Sequence, residues 1–235
     1  MTEASPPDRS GHSRAQQLAA LREGELDVLV IGGGITGAGI AWDCALRGLS
    51  VALLERTDFG AGTSGVSSKM VHAGLRYMAG DAELVREASA ERQWMFRAGA
   101  HLARPVEYYL PAYRDSPEYG ADCLADVIAR YDELAGDCLT AGSRLVAPAE
   151  ALAQIPGLRR DPLLVGSYWD GVMDDARFNL AVVHSAMQSG AVSLNHACVT
   201  DFLRDQDGQV RGVRFRDQAP GAGGASHTVR AAAVV

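Results

Sequence analysis

The stretch from Asp27 to Glu55, DVLVIGGGITGAGIAWDCALRGLSVALLE, decides the fold. Val28 to Ile31 read as a buried strand, and Gly32, Gly34 and Gly37 follow it in the spacing G-x-G-x-x-G. An apolar helix closed by Gly48 leads into a second strand, Ser50 to Leu54, which ends in Glu55. In such a unit the first glycine permits a tight turn and the second lets backbone approach a pyrophosphate. The third lets helix and strand pack closely. The helix N-terminus then faces the phosphate charge. Glu55 lies 18 residues past Gly37, where an acidic side chain accepts hydrogen bonds from ribose hydroxyls. A glycine triplet alone is a weak sign, and a ligand-free turn is the plain alternative. Strand, helix, second strand and acid in the right order favour a dinucleotide-binding β-α-β unit.

The rest of the composition narrows the class. The chain has 235 residues, 47% of them hydrophobic, enough for a large core in one or two domains. A net charge of −7 argues against nucleic acid as a partner, because counterion release from a nucleic-acid backbone needs clustered cations. Cys44, Cys123, Cys138 and Cys198 form no C-x-x-C pair and have no histidine at metal spacing. They read as reduced, buried thiols of a cytoplasmic protein, with no metal site. No run of 18 apolar residues suggests a membrane-spanning helix. The polar start, MTEASPPDRSGHSRAQQL, lacks the apolar core of a secretory signal, and residues 1–25 are expected to form a disordered tail.

Beyond Glu55, the loop RTDFGAGTSGVSS offers hydroxyls and backbone N–H groups suited to phosphate or a sugar chain. After the segment Lys69 to Tyr77, Asp81 reads as the cap of a helix ending near Gly99, with Glu83 and Arg86 on its solvated side. PVEYYLPAY, bracketed by Pro105 and Pro111, alternates like a strand. Ser116 to Gly136 and Ala149 to Ile155 read as helices, and residues 163–170 as another strand. Asp175 is expected to cap a helix that Gly190 ends, and Asp207-Gly208 marks a hairpin. Ala231 to Val235 closes the sheet, with the expectation of an unpaired edge there. These elements predict an α/β, doubly wound nucleotide domain (residues 26–104 and 172–235) interrupted by an α+β lobe (residues 105–171).

The residues that could carry chemistry gather in one place. The chain has a single lysine, Lys69, among its 22 lysines and arginines. It stands close to Ser67, Ser68, His72, Arg76 and Tyr77. An ammonium is a compact donor that a planar guanidinium does not replace, although a surface lysine kept by chance fits the pattern as well. His72 could serve as a base near neutrality, and a buried histidine bonded to a carbonyl is the plainer alternative. Arg76 could grip an anionic substrate.

Four segments, Gly32 to Glu55, GTSGVSSKMVHAGLRY, HLARPVEYYLP and DGVMDDARFNLA, resemble the FAD-dependent glycerol-3-phosphate dehydrogenases. The resemblance runs from about Leu26 to the end of the chain, and Ser67 to Tyr77 is its most specific part. It implies a Rossmann-like FAD domain of the glutathione-reductase or D-amino-acid-oxidase type, with an inserted substrate lobe. It implies oxidation of sn-glycerol 3-phosphate to dihydroxyacetone phosphate by hydride transfer to flavin N5. Electrons would then pass to a quinone, with peripheral contact at the inner face of the cell membrane. Carried over residue by residue, Gly32, Gly34 and Gly37 would hold the FAD pyrophosphate and Glu55 the adenosine ribose. Thr63, Ser64, Ser67, Ser68 and Lys69 would lie along the ribityl-pyrophosphate region. His72 would be the base, with Lys69 nearby, and Arg76 and Tyr77 would face the substrate. The chain has His72-Ala73-Gly74 where that family usually has His-Gly-Gly, and it is shorter than the family's members. That implies a C-terminally incomplete fold. A related FAD-dependent amine or amino-acid oxidase, and a non-catalytic fragment, remain open alternatives.

Overall fold

The computed structural model describes residues 8–116 and 119–235. In chain order it has α1 (Arg14–Ala20), β1 (Leu26–Ile31), α2 (Ile35–Leu46), β2 (Val51–Leu54), β3 (Met70–Val71) and α3 (Ala82–Ala98). Next come β4 (Ala103–Ala112), α4 (Leu124–Ala135), β5 (Arg144–Val146), α5 (Pro148–Gln154) and β6 (Leu164–Met173). The last elements are α6 (Asp175–Gln188), β7 (Val192–Leu194), β8 (Ala197–Arg204), β9 (Val210–Asp217) and β10 (Ser226–Val234). The chain divides into two compact units, Met1–Ser67 with Asp175–Val235, and Ser68–Asp174.

The first unit is built on a six-stranded sheet in the order β7-β2-β1-β10-β9-β8. The strands from β7 to β10 run parallel, and β9 and β8 extend the sheet as antiparallel neighbours. One core packs α2 and α6 on the sheet through Ala38, Ala41, Ala45, Val183 and Ala186. Small side chains on α2 allow that close approach. β10 pairs with β9 through Ser226–Arg230 and with β1 through Ala231–Val234, so the registers place a strand on only one side of the last residues. The edges of this sheet are β7 and β8. The hairpin forms as expected around Asp207-Gly208, with Gly208 in the left-handed region at φ 80°.

The expected tail needs correction. Residues 1–7 lie outside the described residues, but Arg14–Ala20 is a helix, with Ser13 and Gln16 bonding each other's backbone at its start. Leu18 and Leu21 pack against the core formed by Leu29, Leu54, Leu194 and Phe215. The Arg14 guanidinium forks onto the Asp217 carboxylate at 2.7 and 3.0 Å. A polar sequence hid this element because few apolar side chains, Leu18, Ala20 and Leu21, anchor it.

In the second unit, β6 is the central strand. β4 pairs along one side of it, and β3 and β5 pair along the other, all antiparallel. Pro105 and Pro111 lie inside β4, not outside it, and β4 tolerates them because it is an edge strand. α3 and α4 bring Val85, Tyr131 and Leu134 together with Ala73 and Leu75. The second unit thus begins at Ser68, earlier than the expected 105, because Met70 and Val71 pair with β6. The helix expected over Ser116 to Gly136 starts at Leu124, and two of its residues, Pro117 and Glu118, lie outside the described set. All four cysteines are half-buried and free, less enclosed than expected.

Candidate functional site

The glycine-rich turn of the first unit is held from three sides. Gly32 takes φ 112°, a conformation that favours glycine, and its N–H donates to the Leu54 carbonyl at 2.8 Å. The Gly33 N–H donates to Glu55 Oε2 at 2.8 Å, and the Gly33 carbonyl accepts from Gly60 N–H and Asn179 Nδ2, each at 3.0 Å. A methyl on Gly37 would stand 2.0 Å from the Gly32 carbonyl oxygen, so helix and turn touch backbone to backbone there. A methyl on Gly32 would meet nothing within 4 Å, so that backbone is open to a ligand.

Gly34 caps α2 with backbone alone. The Ser64 hydroxyl accepts from the Ile35 N–H at 2.9 Å, and the next first-turn donors have no intrahelical partners. A glycine-only cap, open space at Gly32 and first-turn N–H groups with no intrahelical partner form a cradle that fits a pyrophosphate. Glu55 also accepts from the N–H and hydroxyl of Thr57, at 2.6 and 2.9 Å. Burial alone would raise its carboxyl, but the Thr57 and Gly33 donors and the nearby Arg56 hold it below the usual carboxylate range. It is therefore an anion that can still accept from sugar hydroxyls.

The other predicted residues divide between the units. Thr63 and Ser64 lie in a single 3-10 turn of the first unit, with Ser64 beside Gly34. Ser67 directs both its N–H and its hydroxyl to Asp175 Oδ2, at 3.0 and 2.8 Å. Asp175 does begin a helix, and its other oxygen accepts from the Ala176 N–H.

Ser68, Lys69, His72, Arg76 and Tyr77 belong to the second unit. Lys69 has φ 60°, uncommon for a side-chain-bearing residue, and its carbonyl accepts from the Met173 N–H at 2.8 Å. His72 is exposed, which sets aside the buried-histidine alternative. It lines a cavity of about 440 Å³ with Ser68, Arg76, Tyr119, Tyr168 and Asp170. Gly74, at φ 83°, starts the turn Leu75–Tyr77, and the Tyr77 ring folds back over it. The Arg76 guanidinium sits 5.6 Å from the centre of that ring.

Behind the cavity lies a polar network that sequence inspection missed. Arg92 and Asp170 are each 1% exposed and pair at 2.5 Å. The Tyr131 hydroxyl donates to Asp170 at 3.0 Å and accepts from the Ala73 N–H at 3.0 Å. Burial, and then the Asp170 charge, push the Tyr131 hydroxyl far above the usual phenol value, so it stays protonated and donating. Tyr168 is pushed up to about 12 by the same two causes in the same order. The one available signal was a lone acid, Asp170, in an apolar strand.

The model of the DAO family, described as FAD dependent oxidoreductase, matches residues 27–235. The chain belongs to the FAD-dependent oxidoreductase family. The expected fold class and FAD cofactor are those of this family. The chain is 38% identical over 221 residues to a probable mitochondrial glycerol-3-phosphate dehydrogenase of Caenorhabditis elegans, across 89% of this chain and 30% of that protein. It is 38% identical over 213 residues to an alpha-glycerophosphate oxidase of Streptococcus pyogenes, across 88% of this chain and 35% of that protein. A solved glycerol-3-phosphate dehydrogenase from Bacillus halodurans, complexed with FAD, is 31% identical with a TM-score of 0.70, across 94% of this chain and 36% of that one. The chain thus spans about a third of the length of the curated relatives it matches.

Proposed function

We propose that this chain is part of an FAD-dependent enzyme that oxidises sn-glycerol 3-phosphate to dihydroxyacetone phosphate. The observation that carries the reading is the shared 38% identity with proteins named for that substrate, across nearly nine-tenths of the chain. The geometry supports it independently. Gly32, Gly34, Gly37, Glu55, Thr63 and Ser64 would hold the FAD pyrophosphate and sugars, with Ser67, Ser68 and Lys69 following along the chain.

Oxidising a secondary alcohol requires removal of two electrons and two hydrogens, and FAD, when bound, supplies the acceptor for the electrons. The exposed His72 imidazole borders the cavity and can take the hydroxyl proton. Arg76 lines the same cavity and offers a forked donor to a phosphate. Tyr168, protonated throughout the neutral range, offers a hydroxyl beside them. Tyr77 braces Gly74 and Arg76. In the same proposal electrons pass on to a quinone, with the protein peripheral on the cytoplasmic face of the cell membrane. Among the described residues no helix is long and apolar enough to cross a membrane.

The test is the visible spectrum of the FAD-loaded chain under anaerobic conditions, before and after glycerol 3-phosphate. Bleaching of the flavin bands by this substrate supports the reading, and loss of bleaching in His72→Ala assigns the base. Bleaching by amino acids and not by glycerol 3-phosphate overturns it.

A further inference from the structure

The cavity residues do not explain what fixes His72, and the network behind them does. We propose that Tyr131 and Asp170 are positioning residues for His72, holding it through the backbone N–H of Ala73; the functional half of this inference rests on the oxidation proposed above. The Ala73 N–H has two acceptors in reach, the Tyr131 hydroxyl at 3.0 Å and Asp170 Oδ1 at 3.2 Å. Ala73 itself is fully buried, and its methyl joins the core of Val85, Tyr131 and Leu134. The His72 side chain, one residue earlier, is exposed on the cavity. An exposed imidazole on a backbone pinned at the next residue has little freedom left except rotation about its own side-chain bonds.

The composition of the network argues that it does more than fill space. Arg92 bonds Asp170, the Trp169 carbonyl and the Cys138 carbonyl, yet its Nε is buried with no partner. An ion pair with an orphaned donor is a costly way to fill a core, and apolar side chains of similar volume commonly do as well or better. What the ion pair supplies, and apolar packing does not, is a fixed anionic acceptor. Tyr131 completes it, because its single proton points to Asp170 and its lone pair is thereby left to face Ala73. The Tyr131 ring is itself held edge-on by Tyr168, at 5.7 Å. Catalytic geometry is sensitive at this scale, since a misplacement of about 1 Å can cost about a hundredfold in rate.

The experiment compares Tyr131→Phe with Leu134→Ala, a neighbour in the same core that contributes no polar atom. The first readout needs no reaction: amide exchange at Ala73, and relaxation of a 13Cε1 label on His72, in the FAD-loaded chain. We expect Tyr131→Phe to speed Ala73 exchange by about tenfold or more and to loosen the His72 ring, with Leu134→Ala leaving the ring unchanged. The second readout is anaerobic flavin reduction by glycerol 3-phosphate. Tyr131→Phe should lower the limiting rate about tenfold or more with KM little changed. Unchanged exchange and ring order in Tyr131→Phe overturn the proposal, as does equal loosening by Leu134→Ala. So does a loosened ring with an unaltered reduction rate. If the parent chain is not reduced at all, the positioning claim is decided by Ala73 exchange and the ring order alone.

Discussion

A methyl group added at Gly37 tests the closest contact in the glycine-rich turn. In Gly37→Ala the new Cβ would meet the Gly32 carbonyl oxygen at 2.0 Å and Val30 Cγ1 at 3.3 Å. Contacts under 3.0 Å are essentially never made by real Cβ atoms, so turn and helix must part by about 1 Å. The obstacle is backbone, which does not swing aside as a side chain would. Overpacking of this kind costs about 1–3 kcal/mol, and the gap it opens along Ala38 and Ala41 adds lost dispersion contacts. Alanine also returns roughly 0.5–1 kcal/mol by replacing a helical glycine. Gly39, in the same helix, isolates that second effect, because a methyl there meets nothing within 4 Å. Gly39→Ala should therefore raise stability by about 0.5–1 kcal/mol, and Gly37→Ala should lower it by about 1–2 kcal/mol. In a chain of this size each kcal/mol moves the melting temperature by about 2–4 °C. Melting by circular dichroism and FAD titration by fluorescence would measure both consequences. Affinity for FAD should fall about tenfold or more in Gly37→Ala and stay level in Gly39→Ala. A Gly37→Ala protein that melts with Gly39→Ala and keeps its FAD affinity would refute the steric argument.

Three further outcomes follow from the first unit. Leu21→Ala should lose about 2–5 kcal/mol in urea unfolding, because Leu21 is 3% exposed in the core; a change within about 0.5 kcal/mol would mean that α1 is not docked. Ser64→Ala removes the acceptor for the Ile35 N–H, and should cost about 1 kcal/mol and weaken FAD binding measured by titration. Burial raises the Asp217 carboxyl, but the Arg14 fork and the Ala219 N–H outweigh it and hold the group below its ordinary 3.8. A depressed folded-state pKa stabilises above the ordinary value, and that stabilisation is lost as pH falls through the folded value. Arg14→Met should therefore cost about 1.5–3 kcal/mol near neutrality. Its difference from the parent, followed by urea midpoints, should shrink as pH drops below that range; a pH-independent difference would count against the ion pair.

The parts legible in the sequence were those fixed by neighbours along the chain. Gly32, Gly34, Gly37 and Glu55 act within one β-α-β unit, so their spacing carries their geometry. Asp207-Gly208 marks a turn by local backbone preference, and Asp81 caps α3 three residues from the N–H it accepts. What was hidden depends on partners far away in sequence. Residues 68–71 belong with the second unit only because Met70 pairs with Val172. Leu18 and Leu21 look like stray apolar residues in a polar tail until β9 and β10 supply the surface they cover. Asp170, Arg92 and Tyr131 come from a strand and two helices, and no pattern within any one of them announces the network.

That last group changes how the His72 segment is understood. Read from sequence, Ala73 is one extra methyl close to a flavin, and its effect would be judged by what the flavin tolerates. In the folded chain the methyl points into a buried core, and the N–H beside it is held by a protonated tyrosine and a paired carboxylate. The residue is thus placed by the protein interior, and the imidazole before it is the group left to the cavity. The same division appears at the glycine turn, where Glu55 takes the N–H of buried Gly33 and Gly60 and Asn179 take its carbonyl, while its neighbours Gly32 and Gly34 stay half-buried and Ile35 exposed. In both places one residue is locked through its backbone so that its neighbour can face a ligand without reorganising. Preorganisation of this kind lowers the cost of binding before any contact with the ligand is made.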